Sequence, residues 1–196
     1  MKIFIMQPHF LPWLGYFDMI EKSDIFVIYD DSRLAYQSWQ LRNRIRTDKG
    51  LEWITIPVGE KAKKNNINQV QIKKDFNFLE NLKKTITLHY TKSKYFDFYK
   101  ESFFTSIENG FESENLSQLN CNIIFWIMKI LNLDKKIYYS KDLFINQKKS
   151  KKVLEICNYF SSKECIISEG SKDYISKDLS FFKENNINIL VININT

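Results

Sequence analysis

The segment 2-KIFIMQPHFLPWLGYFDMIEKSDIFVIYDD-31 decides the fold, because two short apolar runs enclose a proline-containing stretch. The runs 2-KIFIM-6 and 25-IFVIY-29 predict strands that are covered on both faces, as in a parallel sheet. Between them, the spacing of apolar residues predicts a helix over about residues 13–22, with Pro12 in its first turn. The opening therefore predicts a β–loop–α–β unit with a right-handed crossover.

Strand and helix patterns alternate along the rest of the chain. Strands are predicted at 52-EWITIPV-58, 137-IYYS-140, 164-ECIIS-168 and 189-ILVIN-193. Helical spacing is found in residues 79–90, 96–110, 116–131 and 150–160. This alternation predicts an α/β fold with a mainly parallel, Rossmann-like sheet. We expect residues 1–196 to form a single domain, in which about residues 75–132 make an inserted or appended helical lobe.

Four features between these elements lead to local predictions. Residues 33–50 are polar and aromatic with weak periodicity, so we expect a long loop or an irregular arm. Residues 60–69 are rich in Lys and Asn and predict an exposed loop. Gly110 is a candidate C-cap of the second helix of the lobe, and Ser150 is a candidate N-cap of the following C-terminal helix.

Composition and charge limit the class of protein. A chain of 196 residues that is 44% hydrophobic can bury a sizeable core. The net charge of +6 permits an acidic partner such as a phosphate, a nucleotide or an acidic carrier protein, or it reflects only a Lys-rich surface. Because no arginine-rich arm or base-reading motif is present, we do not expect a nucleic-acid partner.

Cysteine and histidine usage argues against a metal or disulfide framework. The three cysteines follow no zinc-ligand spacing, and we expect buried free thiols in a reducing cytoplasm. With two histidines and no Cys/His cluster, no metal site is predicted. No apolar run is long enough for a membrane span, so the sequence predicts a cytoplasmic protein without one.

Polar residues follow the predicted strands where parallel α/β proteins bind ligands, at the carboxyl ends. Three such clusters are Gln7 with His9, Asp30 with Asp31, and Ser168 with Gly170. If the sheet is parallel, the three clusters converge on one edge. The sequence therefore predicts a binding or catalytic site there.

His9 and Asp30 are the candidate catalytic residues. His9 could hydrogen-bond a phosphate or act as a base near neutral pH, or it could only fix the loop. Asp30 and Asp31 could provide a general base, bind a hydroxyl group, ligate Mg²⁺, or form a solvated turn. The choice between His9 and Asp30 as the base stays open.

Cationic and aromatic residues complete the predicted substrate site. Arg42, Asn43 and Arg44 form a group that matches a diphosphate, because planar guanidinium groups bind phosphate oxygens in pairs; the alternative is a surface loop paired with the Asp residues. Trp13 and Trp39 are candidates to stack on a base or a sugar face.

The opening also has the layout of HxGH-type nucleotidylyl transferases, with a strand, a loop containing Pro and His, a glycine, a helix and an apolar strand. Gly15 and Tyr16 stand where that family has Gly-His. We expect Gly15 to permit a close approach of ligand or backbone, and Tyr16 to contact substrate. The missing second histidine argues against nucleotidylyl transfer, so only the likeness of fold is retained.

Taken together, 6-MQPHFLPWLGYFD-18, 39-WQLRNRI-45, 53-WITIPV-58 and 168-SEGSKDYI-175 resemble the WbqC-like proteins. The resemblance implies a role in bacterial surface-polysaccharide (O-antigen) biosynthesis. It further implies a transferase that adds an acyl or aminoacyl group to the amine of a nucleotide-linked sugar. The candidate donor is a thioester of an acyl carrier protein or of coenzyme A, and an acidic carrier would suit the basic surface. Glu169 departs from the small residues expected within the Ser-Gly element.

Two other functions remain open from the sequence. One is a nucleotidylyl transferase or related adenylating enzyme of the HxGH type, which would release pyrophosphate. The other is a non-catalytic module that binds a carrier protein or nucleic acid, which would show salt-sensitive binding without turnover.

Overall fold

A computed structural model describes residues 1–35, 37–172, 175 and 178–192. The chain divides into two compact units. The first unit contains Met1–Gln7, Trp13–Ser32 and Leu131–Thr196, and the second unit contains Pro8–Pro12 and Arg33–Ile130. Two residues of the predicted Ser-Gly element, at 173 and 174, and the last residue of the final predicted strand, Asn193, lie outside the described residues.

The described residues form seven strands and six α-helices. The strands are β1 (Lys2–Met6), β2 (Ile25–Ile28), β3 (Arg42–Thr47), β4 (Gly50–Thr55), β5 (Lys136–Tyr139), β6 (Glu164–Ser168) and β7 (Asn188–Ile192). The helices are α1 (Leu14–Lys22), α2 (Phe76–Tyr90), α3 (Phe96–Glu112), α4 (Leu116–Ile130), α5 (Lys149–Tyr159) and α6 (Leu179–Glu184).

Five strands of the first unit form one parallel sheet in the order β5-β2-β1-β6-β7. Every pairing is parallel, with Ile3 opposite Ile25 and Phe4 opposite Phe26. All four residues of β2 are buried, as expected for a strand covered on both faces. The α/β fold class with a mainly parallel sheet, predicted from the sequence, is confirmed.

Alternate residues of the strands pack against different helices. On one face, Phe4 stacks on Phe26 at 5.4 Å between ring centroids, and Tyr16 of α1 meets Phe4 edge-on at 5.7 Å. On the other face, Ile3 and its neighbours share a core with Ile156 of α5 and with α6. The sheet therefore has an apolar layer on each of its two faces.

The second unit combines an antiparallel hairpin with three helices around its own core. Strands β3 and β4 pair from Arg42 opposite Thr55 to Thr47 opposite Gly50. The prediction of a loop or arm over residues 33–50 is therefore wrong for residues 42–47. Arginines at alternate positions hid the strand, because an exposed hairpin face tolerates charge where a buried strand does not.

Several local predictions need correction. Gly110 lies inside α3, where it is buried, and does not end the helix. A Cβ there would lie 2.7 Å from Leu119 Cδ1 and 2.8 Å from Leu119 Cα, so glycine permits the close packing of α3 on α4. Ser150 lies within α5 and donates its hydroxyl hydrogen bond to Asp178 instead of capping the helix.

Two further predictions were inexact. Helix α1 begins at Leu14 after an N-cap at Trp13, so Pro12 precedes the helix. Residues 60–69 contain two short 3₁₀ segments that bury Ala62 and Ile67, and are therefore not a fully exposed loop.

All three cysteines are free and buried, as expected: Cys121, Cys157 and Cys165. Within the described ranges, no helix is both long and apolar enough to cross a membrane.

Candidate active site

The carboxyl edge of the parallel sheet gathers polar and charged side chains of the first unit, several of them buried. The central strand β1 connects to β2 on one side and lies beside β6 on the other, so a topological switch point falls at this edge. We call the residues that follow the strands here the sheet edge. They are Gln7, Asp30, Asp31, Ser140 and Lys141, together with Lys152 of α5.

Asp30 is the most unusual residue of the sheet edge. Its side chain is 0% exposed, and neither carboxylate oxygen has a hydrogen-bond partner of good geometry among the described residues. The nearest cation is Lys141, whose Nζ lies 3.6 Å from Oδ2. A buried carboxylate with so little compensation is costly, which favours a functional role over a structural one.

Electrostatics push Asp30 towards its protonated form. Burial raises the pKa of this carboxyl group above its ordinary value of 3.8. The positive charge of Lys141 opposes that rise in pKa, the negative charge of Asp31 adds to it, and backbone N–H groups of Lys141 and Asp30 oppose it weakly. A carboxylate with a raised pKa is a better proton acceptor than an ordinary surface aspartate.

Asp31, the next residue, has the opposite surroundings. Its carboxylate accepts hydrogen bonds from Ser140 Oγ at 2.5 Å and from the ammonium group of Lys152. Lys152 is buried and its Nζ lies 5.9 Å from the ring of Tyr29. Asp31 is therefore a compensated partner of a buried cation, and it fixes the loops after β2 and β5 relative to α5.

Gln7 and Tyr16 form a second group at this edge. Gln7 Nε2 donates to Ser32 Oγ at 2.7 Å, and Tyr16 Oη donates to the backbone carbonyl of Gln7 at 3.0 Å. The ring of Tyr16 is fully buried between α1 and the sheet. The hydrogen bond gives Tyr16 a positioning role through Gln7, and its contact with substrate stays a prediction.

The loop after β6 lies at the same edge. Ser168 Oγ and Ser171 Oγ are 3.0 Å apart, and Glu169 pairs with Lys172 at 3.3 Å. Gly170 is exposed. Ser168 and Gly170 thus follow a strand that neighbours β1, as the sequence rule expects, and they stay predicted binding residues.

Trp13 and Gly15 lie at the beginning of α1. The indole of Trp13 is 42% exposed, which leaves it available for stacking. Gly15 is buried within the first turn of the helix.

His9 belongs to the second unit, in the loop Pro8–Pro12. Its side chain is half-buried. Burial lowers the pKa of the imidazole from 6.5 to about 4, so it is neutral at pH 7. The expectation that His9 titrates near neutral pH is not met, and Asp30 becomes the stronger candidate for the base.

Two asparagine side chains hold this loop within the second unit. Asn43 Nδ2 donates to the carbonyls of Phe10 at 3.1 Å and Leu11 at 2.7 Å. Asn120 Nδ2 donates to the carbonyls of Pro8 at 2.9 Å and Gln40 at 2.8 Å. These contacts give Asn43 a positioning role, and its binding of substrate stays a prediction.

The exposed face of the β3–β4 hairpin carries an arginine–tryptophan face, which we define as Trp39, Arg42, Arg44 and Trp53. The Cζ atoms of Arg42 and Arg44 lie 4.1 and 5.3 Å from the ring centroid of Trp53. Trp39 packs against Trp53 with centroids 5.8 Å apart. Arg42 also donates to the backbone and side-chain oxygens of Gln37. A guanidinium group placed over an indole ring still has N–H groups that can bind phosphate, and Arg42 keeps those that do not bond to Gln37.

Sequence reasoning missed four of these residues, although signals existed. Lys141 follows a predicted strand, so the carboxyl-end rule applies to it as it does to Asp30. Lys152 lies four residues before the buried Ile156 and therefore shares its helix face, but the surrounding lysines suggested a solvated cluster. Ser140 ends the predicted strand 137–140, and Trp53 pairs with Arg44 in a hairpin that was not predicted.

The described residues contain no group of three or more His, Cys, Asp or Glu side chains arranged to bind a metal ion. Lys141 and the two arginines are cationic groups of the kind that suit anionic ligands, whereas Lys152 is engaged with Asp31.

A parallel sheet with a buried carboxylate and lysines at its carboxyl edge defines an α/β protein with an enzyme-like site. The chain belongs to the WbqC-like protein family, whose family model matches residues 7–196. This membership implies a role in polysaccharide-related biosynthesis and suggests an enzyme.

Two further comparisons bear on this assignment. The chain is 27% identical to the uncharacterised protein Rv1507c of Mycobacterium tuberculosis over 176 residues, which cover 90% of this chain and 76% of that protein. No solved structure matches the chain.

Proposed function

We propose that this protein is a transferase that adds an acyl or aminoacyl group to the amine of a nucleotide-linked sugar in surface-polysaccharide biosynthesis. The observation that carries the proposal is Asp30, a fully buried carboxylate at the sheet edge with a raised pKa and one lysine nearby. Amide formation needs a group that accepts the amine proton, and Asp30 fits that requirement.

The reaction at Asp30 can be written with a complete balance. The sugar amine attacks the carbonyl carbon of the donor thioester, a C–N bond forms, and the C–S bond breaks. Asp30 takes the proton that leaves the nitrogen, and the departing thiolate becomes a thiol when it takes up a proton. The raised pKa of Asp30 supports this role, because the proton affinity of the carboxylate is increased.

Lys141 is the proposed electrostatic partner. Its side chain is 41% exposed, so its ammonium group can reach an incoming ligand as well as Asp30. A cation in this position stabilises negative charge that develops on the carbonyl oxygen. Lys152 is too fully engaged with Asp31 to serve in the same way, and it positions the loops instead.

The arginine–tryptophan face supports a nucleotide-linked substrate. Arginine forks bind a diphosphate in pairs of hydrogen bonds, and exposed indole rings stack on nucleobases. The exposed state of both Trp39 and Trp53 is consistent with this use.

Turnover assays with Asp30→Asn test the proposal. The wild-type chain is incubated with nucleotide-linked amino sugars and acyl or aminoacyl thioesters, and the amide product is measured by mass spectrometry. We expect Asp30→Asn to lower the rate by about 10²–10⁴-fold. The matched control is Asp134→Asn, an exposed aspartate next to β5, which should keep full activity. Undiminished turnover by Asp30→Asn would remove Asp30 from the reaction and contradict the proposal.

A second readout separates the other open functions. Pyrophosphate release from ATP or CTP would indicate nucleotidylyl transfer instead. Salt-sensitive binding of an acidic carrier or nucleic acid, with no product from any donor, would indicate a non-catalytic module.

A further inference from the structure

The second unit contains a cavity of about 460 Å³ that lies among α2, α3, α4 and the hairpin. Its volume is within the range of about 300–1,000 Å³ that is typical of small-molecule sites. Arg44 is the one residue of the arginine–tryptophan face that also lines this cavity. The sequence patterns of the helices that form the other walls indicate no ligand.

The walls of the cavity are mainly apolar and aromatic. Trp126 of α4 packs against Phe103 at 5.1 Å and edge-on against Tyr99 at 6.2 Å between ring centroids. Ile86 and Phe96 complete this side of the lining. Such a surface favours an aliphatic occupant, because removing both apolar surfaces from water is favourable.

Charged groups on the lining all have one sign. Arg44, Lys94 and Lys100 line the cavity, and the described lining residues include no aspartate or glutamate. Lys100 has an acidic neighbour outside the lining, since its Nζ lies 3.7 Å from the exposed Glu101. Lys94 Nζ lies 5.0 Å from the ring of Tyr95. An occupant with an apolar chain and an anionic head group matches both the walls and the charge.

We propose that this cavity binds the acyl chain of an anionic thioester donor. The identity of the occupant as the donor rests on the proposed function, whereas binding of an acyl chain with an anionic head rests on the cavity alone. The inference narrows the donor class, because an apolar volume of this size selects a medium-length acyl chain over a small polar aminoacyl group.

Equilibrium binding to the full-length chain tests this inference with four probes: octanoate, octylamine, octanoyl-coenzyme A and coenzyme A. We expect octanoate to bind more tightly than octylamine, which has the same chain and the opposite charge. We also expect octanoyl-coenzyme A to bind more tightly than coenzyme A. Equal binding within either pair would overturn the inference, because it would show that the head charge or the acyl chain is not recognised.

Ser93→Phe is the variant that fills the mouth of the cavity, since Ser93 is exposed and lines it. The matched control is Thr91→Phe, which adds the same ring at an exposed position outside the lining. We expect Ser93→Phe to weaken octanoate binding by roughly tenfold or more and Thr91→Phe to leave it unchanged. Wild-type affinity in Ser93→Phe would place the ligand elsewhere and refute the assignment.

The head-group preference has its own variant, Arg44→Gln combined with Lys94→Gln and Lys100→Gln. We expect the preference for octanoate over octylamine to fall by roughly fivefold or more, because the three cations of the lining are removed. An unchanged preference would show that the lining cations do not bind the carboxylate. Near-ultraviolet circular dichroism matching the wild type confirms that each variant is folded.

Failure of this inference can be separated from failure of the proposed function. If Asp30→Asn loses turnover while Ser93→Phe binds octanoate normally, the reaction stands and the cavity assignment falls. If Asp30→Asn keeps turnover while Ser93→Phe loses octanoate, the cavity stands and the role of Asp30 falls.

Discussion

The sheet edge of the first unit and the arginine–tryptophan face of the second unit differ in how far their charged side chains are buried. Asp30 and Lys152 are buried, and one of the two is left with little compensation. Arg44, in contrast, is exposed and rests on Trp53. Burying a charge destabilises the folded state, whereas an exposed charge stays hydrated and destabilises it little. We therefore expect the charged groups of the sheet edge to lower stability and those of the hairpin face to have little effect on it.

Adjacent residues repeat this contrast within the sheet edge. Among the residues that the structure describes, Asp30 has Lys141 at 3.6 Å and no carboxylate hydrogen bond of good geometry, whereas Asp31 is bonded to Ser140 and Lys152. An aspartate at position 30 is therefore expected to destabilise the folded state, whereas the aspartate at position 31 is expected to stabilise it. Substituting the two aspartates separately is the sharpest test of the comparison.

The largest expected effect is that of Asp30→Asn, which should act in opposite directions on rate and stability. We expect a rate loss of about 10²–10⁴-fold. Stability should rise by about 1–3 kcal/mol at neutral pH, because a buried charge that Lys141 compensates only in part is removed. For a chain of this size that is roughly 2–4 °C of melting temperature for each kcal/mol.

The pH dependence of that stability gain has a definite sign. Because the folded-state pKa of Asp30 is raised, the folded chain binds the proton more tightly than the unfolded chain. Wild-type stability from this group is therefore present below pH 3.8 and is lost as pH rises through the raised pKa. Melting curves of wild type and Asp30→Asn should converge at low pH and separate above it. A destabilised Asp30→Asn would show that the carboxylate is structural.

Lys152→Met should cause the next largest effect, a destabilisation of about 3–5 kcal/mol measured by urea unfolding. The substitution removes the ammonium group that pairs with Asp31, while the hydrogen bond from Ser140 remains. The double variant Asp31→Asn with Lys152→Met should recover part of the loss, because the orphaned charge is gone. Equal stability of Lys152→Met and wild type would show that the Asp31–Lys152 pair does not stabilise the fold. Asp31 would then not differ from Asp30 in its contribution to stability.

Gly110→Ala tests the packing that forms the second unit. The added Cβ would lie under 3 Å from both Leu119 Cδ1 and Leu119 Cα, so α3 and α4 must separate. We expect a destabilisation of about 1–3 kcal/mol in urea unfolding, despite the better helix propensity of alanine. Gly59→Ala is the control, since nothing lies within 4 Å of its Cβ position. A stabilised Gly110→Ala would show that the helices can move apart freely.

Trp53→Ala should have a smaller effect, confined to binding. Removing the ring that supports Arg42 and Arg44 should weaken nucleotide-sugar affinity by about 0.5–1 kcal/mol, measured by calorimetry. Leu51→Ala is the matched control on the same hairpin face, opposite Arg46 in the register. Equal affinity in the two variants would show that the arginine–tryptophan face does not bind the nucleotide.

His9→Gln gives the smallest expected effect, limited to acid conditions. The pKa of His9 is lowered from 6.5 to about 4, so the unfolded chain binds the proton more readily than the folded chain between these values. Wild-type stability should therefore fall as pH decreases from 6.5 to 4, and His9→Gln should flatten that slope. Identical slopes would show that His9 does not titrate in this window.

The sequence predicted the parallel sheet well because its strands carry their own signal. Strands β1 and β2 are continuous apolar runs, and Asp30 and Asp31 follow the second run directly. The rule that ligands bind at carboxyl ends then indicates the sheet edge without any coordinates. The position of the candidate site could thus be predicted because the local pattern and the topology agree there.

The remaining features depend on contacts between residues far apart in the chain. Asp31 and Lys152 are separated by 121 positions, and nothing local distinguishes that lysine from its exposed neighbours. The role of Gly110 depends on Leu119 of the following helix, whereas a glycine after a helical pattern usually marks its end. Burial of His9 likewise depends on its folded surroundings, so its pKa could not be read from its type.

The asparagine contacts that hold the Pro8–Pro12 loop affect how this loop responds to pH and salt. Asn43 and Asn120 bind backbone carbonyls through neutral amide groups, which neither titrate nor respond strongly to salt. Asp30 at the sheet edge, by contrast, changes its charge as pH crosses its raised pKa. A change of pH should therefore alter the sheet edge while the asparagine hydrogen bonds keep the Pro8–Pro12 loop in place, and amide exchange measured across a pH series would record the two responses separately.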